Sequence, residues 1–161
     1  MIRIIPADLD DRRVIDLVTL HMTLARAQSP PCSAHALDID GLRTPDIRLW
    51  AIWDGDALLA IGALKRLSSD HGEVKSMHVV EAARGRGLGA QMIRHIIEAA
   101  RNSGMTRLSL ETGVQDYFIA ARKLYEDWGF VPCDPFDTYR LDPNSVFMSL
   151  DLTGWSLKGR A

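Results

Sequence analysis

Little in this chain is paired, repeated or one-sided. Its two cysteines, Cys32 and Cys133, stand far apart, without the short spacing of zinc and redox motifs, so they read as reduced thiols and no metal site is expected. Neither sign of charge dominates: 19 Lys and Arg oppose 21 Asp and Glu, for a net charge of −2. That balance leaves no broad basic field for nucleic acid or a membrane surface, so any anion site has to be local. The opening residues, MIRIIPADLDDRR, hold no long apolar core. Neither a secretory signal nor a membrane span is therefore expected, and a cytoplasmic protein is the expectation. Repeats and low-complexity tracts are missing as well. With 161 residues the chain is read as one domain over 1–161, burying roughly 70% of its unfolded surface.

What is present is an orderly change of apolar period. IRIIPADL reads as an opening strand, and Val14, Leu17, Val18, His21, Leu24 and Ala25 then recur at helical spacing. Residues 29–45, SPPCSAHALDIDGLRTP, are rich in punctuating residues and predict a mobile segment with one short helix around SAHALDIDGL. IRLWAIW and ALLAIGALKRL flank DGD, where Asp54-Gly55 suits a tight hairpin, and EVKSMHVV supplies a third strand of the same meander. From about Leu88 to Asn102 a helix places Leu88, Met92, Ile96 and Ala99 on one face, with Gly104 as its C-cap. MTRLSLET is a strand, YFIAARKLYEDW a helix ended by Gly129, FVPC a strand start, and SVFMSLDL closes the sheet. The class is α/β or α+β: a mixed sheet with helices on its faces. A long loop with three prolines, PCDPFDTYRLDPNS, precedes the last strand.

The stretch RGRGLGA carries the chemistry. Alternating glycines at 85, 87 and 89 remove side chains from a turn, so that backbone N–H groups converge on an anion at the start of the next helix. A bare structural turn explains this poorly, because the neighbouring arginines repel without an anion. Gly85, Gly87 and Ala90 also satisfy G-x-G-x-x-A, with Glu111 downstream, yet a dinucleotide fold places that motif after the first strand of a long βαβαβ unit. Here an antiparallel meander precedes it.

Arg84-x-x-Gly87-x-Gly89, with Ala90 and a helix after it, resembles the acetyl-CoA pyrophosphate loop of the GNAT superfamily of N-acetyltransferases. ARKLYEDWGF is similar to the A-x-x-L-Y-x-x-x-G-F signature of the next helix and strand in that family. The resemblance runs from Glu73 to Phe130. It implies a GNAT-type, mostly antiparallel sheet of about six to seven strands with helices on both faces. It also implies acetyl-CoA as cosubstrate, bound by Arg84, Gly85, Arg86, Gly87, Leu88, Gly89 and Ala90 at the pyrophosphate. Backbone N–H groups of Met77, His78 and Val79 would hold the thioester carbonyl, Val79 first among them. Acetyl transfer to an amine needs a proton acceptor, oxyanion stabilisation and a proton for the leaving thiolate. The resemblance assigns the first role to Glu73 and the last to Tyr125. The residue types leave plainer alternatives: Glu73 paired with Lys75, its neighbour on the same strand face, and Tyr125 as a core aromatic on the stripe Ala121, Leu124, Tyr125, Trp128. Phe118 stands where many members carry the Asn that meets the pantetheine arm.

The acceptor is expected to be a primary amine of a small molecule or a peptide. Asp116, Tyr117, Asp137, Tyr139, Arg140 and Asn144 are polar candidates around its pocket: carboxylates would suit a cationic amine, Arg140 an amino-acid carboxylate. Pairing of two copies is common among such relatives. A catalytically silent acyl-CoA-binding module is the alternative function on the same scaffold.

Overall fold

A computed structural model describes residues 1–157. Seven strands form one sheet in the order β1-β2-β3-β4-β5-β7-β6. The strands are β1 (Ile2–Pro6), β2 (Ile47–Asp54), β3 (Ala57–Arg66), β4 (His71–Val79), β5 (Arg107–Gly113), β6 (Val131–Pro132) and β7 (Ser145–Asp151). Every neighbouring pair is antiparallel except β4 and β5, which run parallel because α2 (Leu88–Asn102) crosses between them. The expected mixed sheet is therefore present. SVFMSLDL does close it, but by inserting between β5 and β6 rather than adding at an edge.

Each element follows from local chemistry. Asp11 caps α1 (Arg12–Gln28) by accepting a hydrogen bond from the Arg13 N–H at 2.9 Å. Val14, Leu17 and Val18 then pack with Leu42, Leu49, Ile61 and Ala63 on one face of the sheet. The other face receives α2 through Leu88, Met92, Ile93, Ile96, Ile97 and Ala100, beside Tyr125 of α3 (Ile119–Asp127). Gly55, at φ +58°, turns the β2–β3 hairpin, and Gly104, at φ +83°, follows the end of α2.

Residues 29–45 depart from expectation. The helix around SAHALDIDGL is absent; two short 3₁₀ turns, Pro31–Ser33 and Gly41–Arg43, bracket non-helical chain instead. The segment is held down, because Leu42 is buried in the second core and the buried Ser33 hydroxyl lies 2.6 Å from Asp142 Oδ2.

Two irregularities shape the centre of the sheet. β4 and β5 pair only from His71↔Arg107 to Glu73↔Ser109 and then separate. On its other side β4 bulges: Ala63 faces Lys75 and Ile61 faces His78, which leaves Gly62 opposite both Ser76 and Met77. Ser76 adopts φ +54° at this point. Gly62 is required there, since a Cβ on it would stand 2.5 Å from Met92 Cγ. Among the described residues no helix is long and apolar enough to cross a membrane.

Candidate active site

Where β4 and β5 part, a cleft of about 430 Å³ opens between the sheet, the start of α2, α3 and residues 33–36. Its upper end is made by the glycine loop. Gly85 and Gly87 both hold left-handed backbone, φ +80° and +77°, in which side-chain-bearing residues are strained. Gly87 caps α2 without any side-chain hydrogen bond. The N–H groups of Leu88, Gly89 and Ala90, on the first turn, have no partner within the helix, and the macrodipole adds positive character there. Gly89 is small for a second reason: a Cβ on it would lie 3.2 Å from Leu124 Cδ2 of α3.

Arg84 lines the cleft and donates from Nε to the Val79 carbonyl at 3.2 Å. Arg86 turns outward, 4.0 Å from Asp54, and neither it nor Ala90 lines the cleft with the other loop residues. Met77, His78 and Val79 all line it. The Val80 N–H bonds to Leu59 O of β3 at 2.9 Å. N–H groups alternate sides along a strand, so the Val79 N–H points away from β3, toward the opening left by β5.

The lower end holds the ionisable groups. Glu73, 2% exposed, accepts hydrogen bonds at Oε2 from Tyr139 Oη at 2.6 Å and from Lys75 Nζ at 3.2 Å. Lys75 also donates to Tyr139 Oη at 3.0 Å. Glu73 thus has the Lys75 partner that strand alternation suggests, and a second that sequence does not suggest. Glu111 of β5 lines the same cleft, and burial pushes its carboxyl pKa up to about 7. Tyr125 is buried, its ring against Phe130. Burial first, then the nearby Glu111 charge, raises its pKa, so the phenol keeps its proton.

His78 meets a partner from α1: its Nδ1 lies 3.0 Å from Nδ1 of His21, so one ring donates to the other. Burial lowers the pKa of both, His21 to about 4. Phe118 lines the cleft where the resemblance expects Asn. It packs on Gly113, where a Cβ would collide with its ring, while Arg122 donates to the Gly113 carbonyl at 2.6 Å.

Of the acceptor candidates read from sequence, Tyr117 and Tyr139 line the cleft; Asp116, Asp137, Arg140 and Asn144 do not. Sequence reasoning missed three contributors. Glu111 entered only as part of a dinucleotide pattern, Lys75 only as a partner for Glu73, and His21 only as a helix-face residue. The signal for the first two was available: β4 and β5 alternate, and Glu73, Lys75 and Glu111 all sit at odd positions of strands that the family places side by side.

Residues 14–130 match the Acetyltransferase (GNAT) family. The uncharacterized N-acetyltransferase YsnE of Bacillus subtilis (strain 168) is 48% identical over 145 residues, spanning 90% of this chain and 96% of that protein. YedL of Escherichia coli (strain K12), likewise an uncharacterized N-acetyltransferase, is 45% identical over 145 residues, spanning 90% and 91%. A crystal structure of a GNAT family acetyltransferase from Elizabethkingia anophelis with acetyl-CoA bound superposes with a TM-score of 0.69 over 93% of this chain and 97% of that one, at 19% identity, and shares the fold. By the family match and by two relatives aligned over most of their length, the chain belongs to the GNAT family of acetyltransferases.

Proposed function

We propose that this acetyltransferase moves the acetyl group of acetyl-CoA to a primary amine of a small molecule or peptide, by direct attack while both substrates are bound. The observation that carries the reading is the Val79 N–H turned away from β3 toward the β4–β5 opening, with the start of α2, which has no side-chain cap, at one end of the same cleft and Glu111 at the other.

Gly85, Gly87, Leu88, Gly89 and Ala90 bind the coenzyme diphosphate through main-chain N–H groups, and Arg84 adds charge beside them. Arg86 reaches the phosphates only by leaving Asp54. The Val79 N–H, with Met77 and His78 shaping the strand around it, receives the thioester oxygen as it becomes an oxyanion. Glu111 takes the amine proton, because its pKa of about 7 suits a base at neutral pH. Glu73, already held by Lys75 and Tyr139, supports that end rather than taking the proton itself. As the C–S bond breaks, Tyr125 gives its phenolic proton to the departing thiolate, and the proton gained by Glu111 restores it. The C–N bond formed and the thiol released balance the step.

The test is release of free CoA thiol on mixing the protein with acetyl-CoA and a panel of amines, amino acids and peptides, with mass spectrometry of the acetylated product. Binding of acetyl-CoA without product from any acceptor would favour the silent binding module.

A further inference from the structure

The last paired couple of β4 and β5 is Glu73↔Ser109. Side chains two residues further along each strand keep to the same face. Lys75 and Glu111 are therefore the first couple to look across the opening once the strands have parted, and both line the cleft. Their charges interact, since Lys75 is among the groups that act on the Glu111 carboxyl.

An ammonium carries three protons. Lys75 gives one to Glu73 Oε2 and one to Tyr139 Oη, which leaves a third for the cleft. Within the ion pair the cation is the member that reaches the opening: its side chain is 10% exposed, that of Glu73 2%. Both residues line the cleft, but on the β4 side the more accessible group a ligand meets at this end is the Lys75 ammonium. Arg84, the other cation on the cleft wall, is engaged with the Val79 carbonyl at the coenzyme end. Arg140, which sequence alone offers for a carboxylate, is exposed and away from the cleft.

We propose that the acetyl acceptor is an amine with a carboxylate a few bonds from its nitrogen, an amino acid or a related aminocarboxylate, whose carboxylate binds Lys75 Nζ while its amine faces Glu111. This rests on the acetyltransferase reading of the cleft. The scale fits, because paired strands lie about 4.8 Å apart and the gap at Lys75 and Glu111 lies just beyond the last pair. A diamine would set a second ammonium against that of Lys75. A simple alkylamine would leave the third Lys75 proton without an anionic partner.

Matched acceptors test the assignment: alanine, alaninamide and ethylamine, with equivalent trios for other side chains, followed by CoA release in the wild-type protein and in Lys75→Met. Comparing the trio between the two proteins cancels the nucleophilicity of each amine. In the wild type, kcat/KM favours the carboxylate-bearing member by about ten- to a hundredfold, mainly through KM. Lys75→Met loses that preference, and Lys75→Arg keeps much of it. Glu73→Gln/Lys75→Met, which removes the ion pair as a unit, serves if the single variant fails to fold. Equal use of all three acceptors by the wild type, or the same preference in wild type and variant, overturns the assignment and leaves acetyl transfer standing. No CoA release from any amine, in a protein that binds acetyl-CoA, overturns the acetyltransferase reading instead. Calorimetry of alanine-type ligands on the CoA-bound wild type and Lys75→Met then still decides whether Lys75 binds the carboxylate.

Discussion

Tyr139, on the loop before β7, donates its hydroxyl proton to Glu73 of β4 across 2.6 Å, and Lys75 touches both partners. The loop is thereby tied to the floor of the cleft at the last paired couple of β4 and β5, Glu73↔Ser109, just before the strands part. Tyr139→Phe keeps the ring in its contacts with Phe136 and Phe147 and removes only the donor. The buried Glu73 oxygen is left with Lys75 alone, at a cost of about 1–2 kcal/mol. Thermal unfolding is expected to move down by a few degrees; an unchanged midpoint would show that the hydroxyl contributes nothing to holding the loop.

Glu111 gives a second prediction, in which activity and stability move in opposite directions. Its folded pKa is about 7 against an ordinary value of 4.5. Between those values the folded state binds more protons than the unfolded one, so stability falls as pH rises from 4.5 to 7. Glu111→Gln removes that penalty, about 3 kcal/mol at most, and is expected to unfold at higher temperature than the wild type at pH 8. The same variant is expected to lower kcat by about 10²-fold or more. The wild-type rise of kcat/KM with pH through about 7 should vanish with it. A variant that is neither more stable nor slower would remove Glu111 from the proton path.

Much of this arrangement was legible in the sequence wherever one stretch of chain determines its own structure. The α2 limits, Leu88 and Asn102, follow from a strong apolar period bounded by Gly87 and Gly104, both at positive φ. The meander follows from alternation and a DG turn. The failures share a cause: each depends on a partner distant in sequence. Residues 29–45 lack a periodic pattern, and the Ser33 contact that anchors them lies on Asp142. The insertion of β7 between β5 and β6 is a matter of topology, invisible to local pattern. Lys75 and Glu111 face each other only because β4 and β5 pair in one register, through three couples, before parting. His21 reaches the cleft from α1, and nothing adjacent to it announces this; Tyr139, named from sequence as a pocket candidate, does line the cleft, but its bond to Glu73 joins residues far apart in the chain.

Tyr125 offers a cleaner kinetic separation. Tyr125→Phe preserves the ring against Phe130 and removes the proton meant for the thiolate. A fall in kcat of about 10²-fold, with acetyl-CoA affinity unchanged by calorimetry, is the expected result. Unchanged turnover would mean that the thiolate departs without this phenol.

At the glycine loop, backbone conformation and ligand approach act together. Gly87→Val puts a β-branched residue at φ +77°, a strain of roughly 1–2 kcal/mol, and sets a side chain beside the N–H groups at the start of α2. Acetyl-CoA affinity is expected to fall by at least about tenfold, with the fold retained by circular dichroism and a slightly lowered Tm. Affinity equal to the wild type would place the diphosphate elsewhere.

The His21–His78 contact predicts sensitivity to acid. Burial lowers the His21 pKa to about 4 from an ordinary 6.5, and the pKa of His78 is also lowered by burial and then by Arg84. Between pH 6.5 and 4 the unfolded chain binds more protons at His21 than the folded one, so this group costs stability progressively as pH falls through that window, and the lowered pKa of His78 acts in the same direction below pH 6.5. For His21 the cost approaches about 3 kcal/mol near pH 4. His21→Gln, whose amide can still reach His78 but cannot take a proton, is expected to flatten the decline in unfolding free energy between pH 7 and 4. Parallel slopes in wild type and variant would mean that the His21 ring gains its proton without disturbing the fold, and that the 3.0 Å contact opens at no cost.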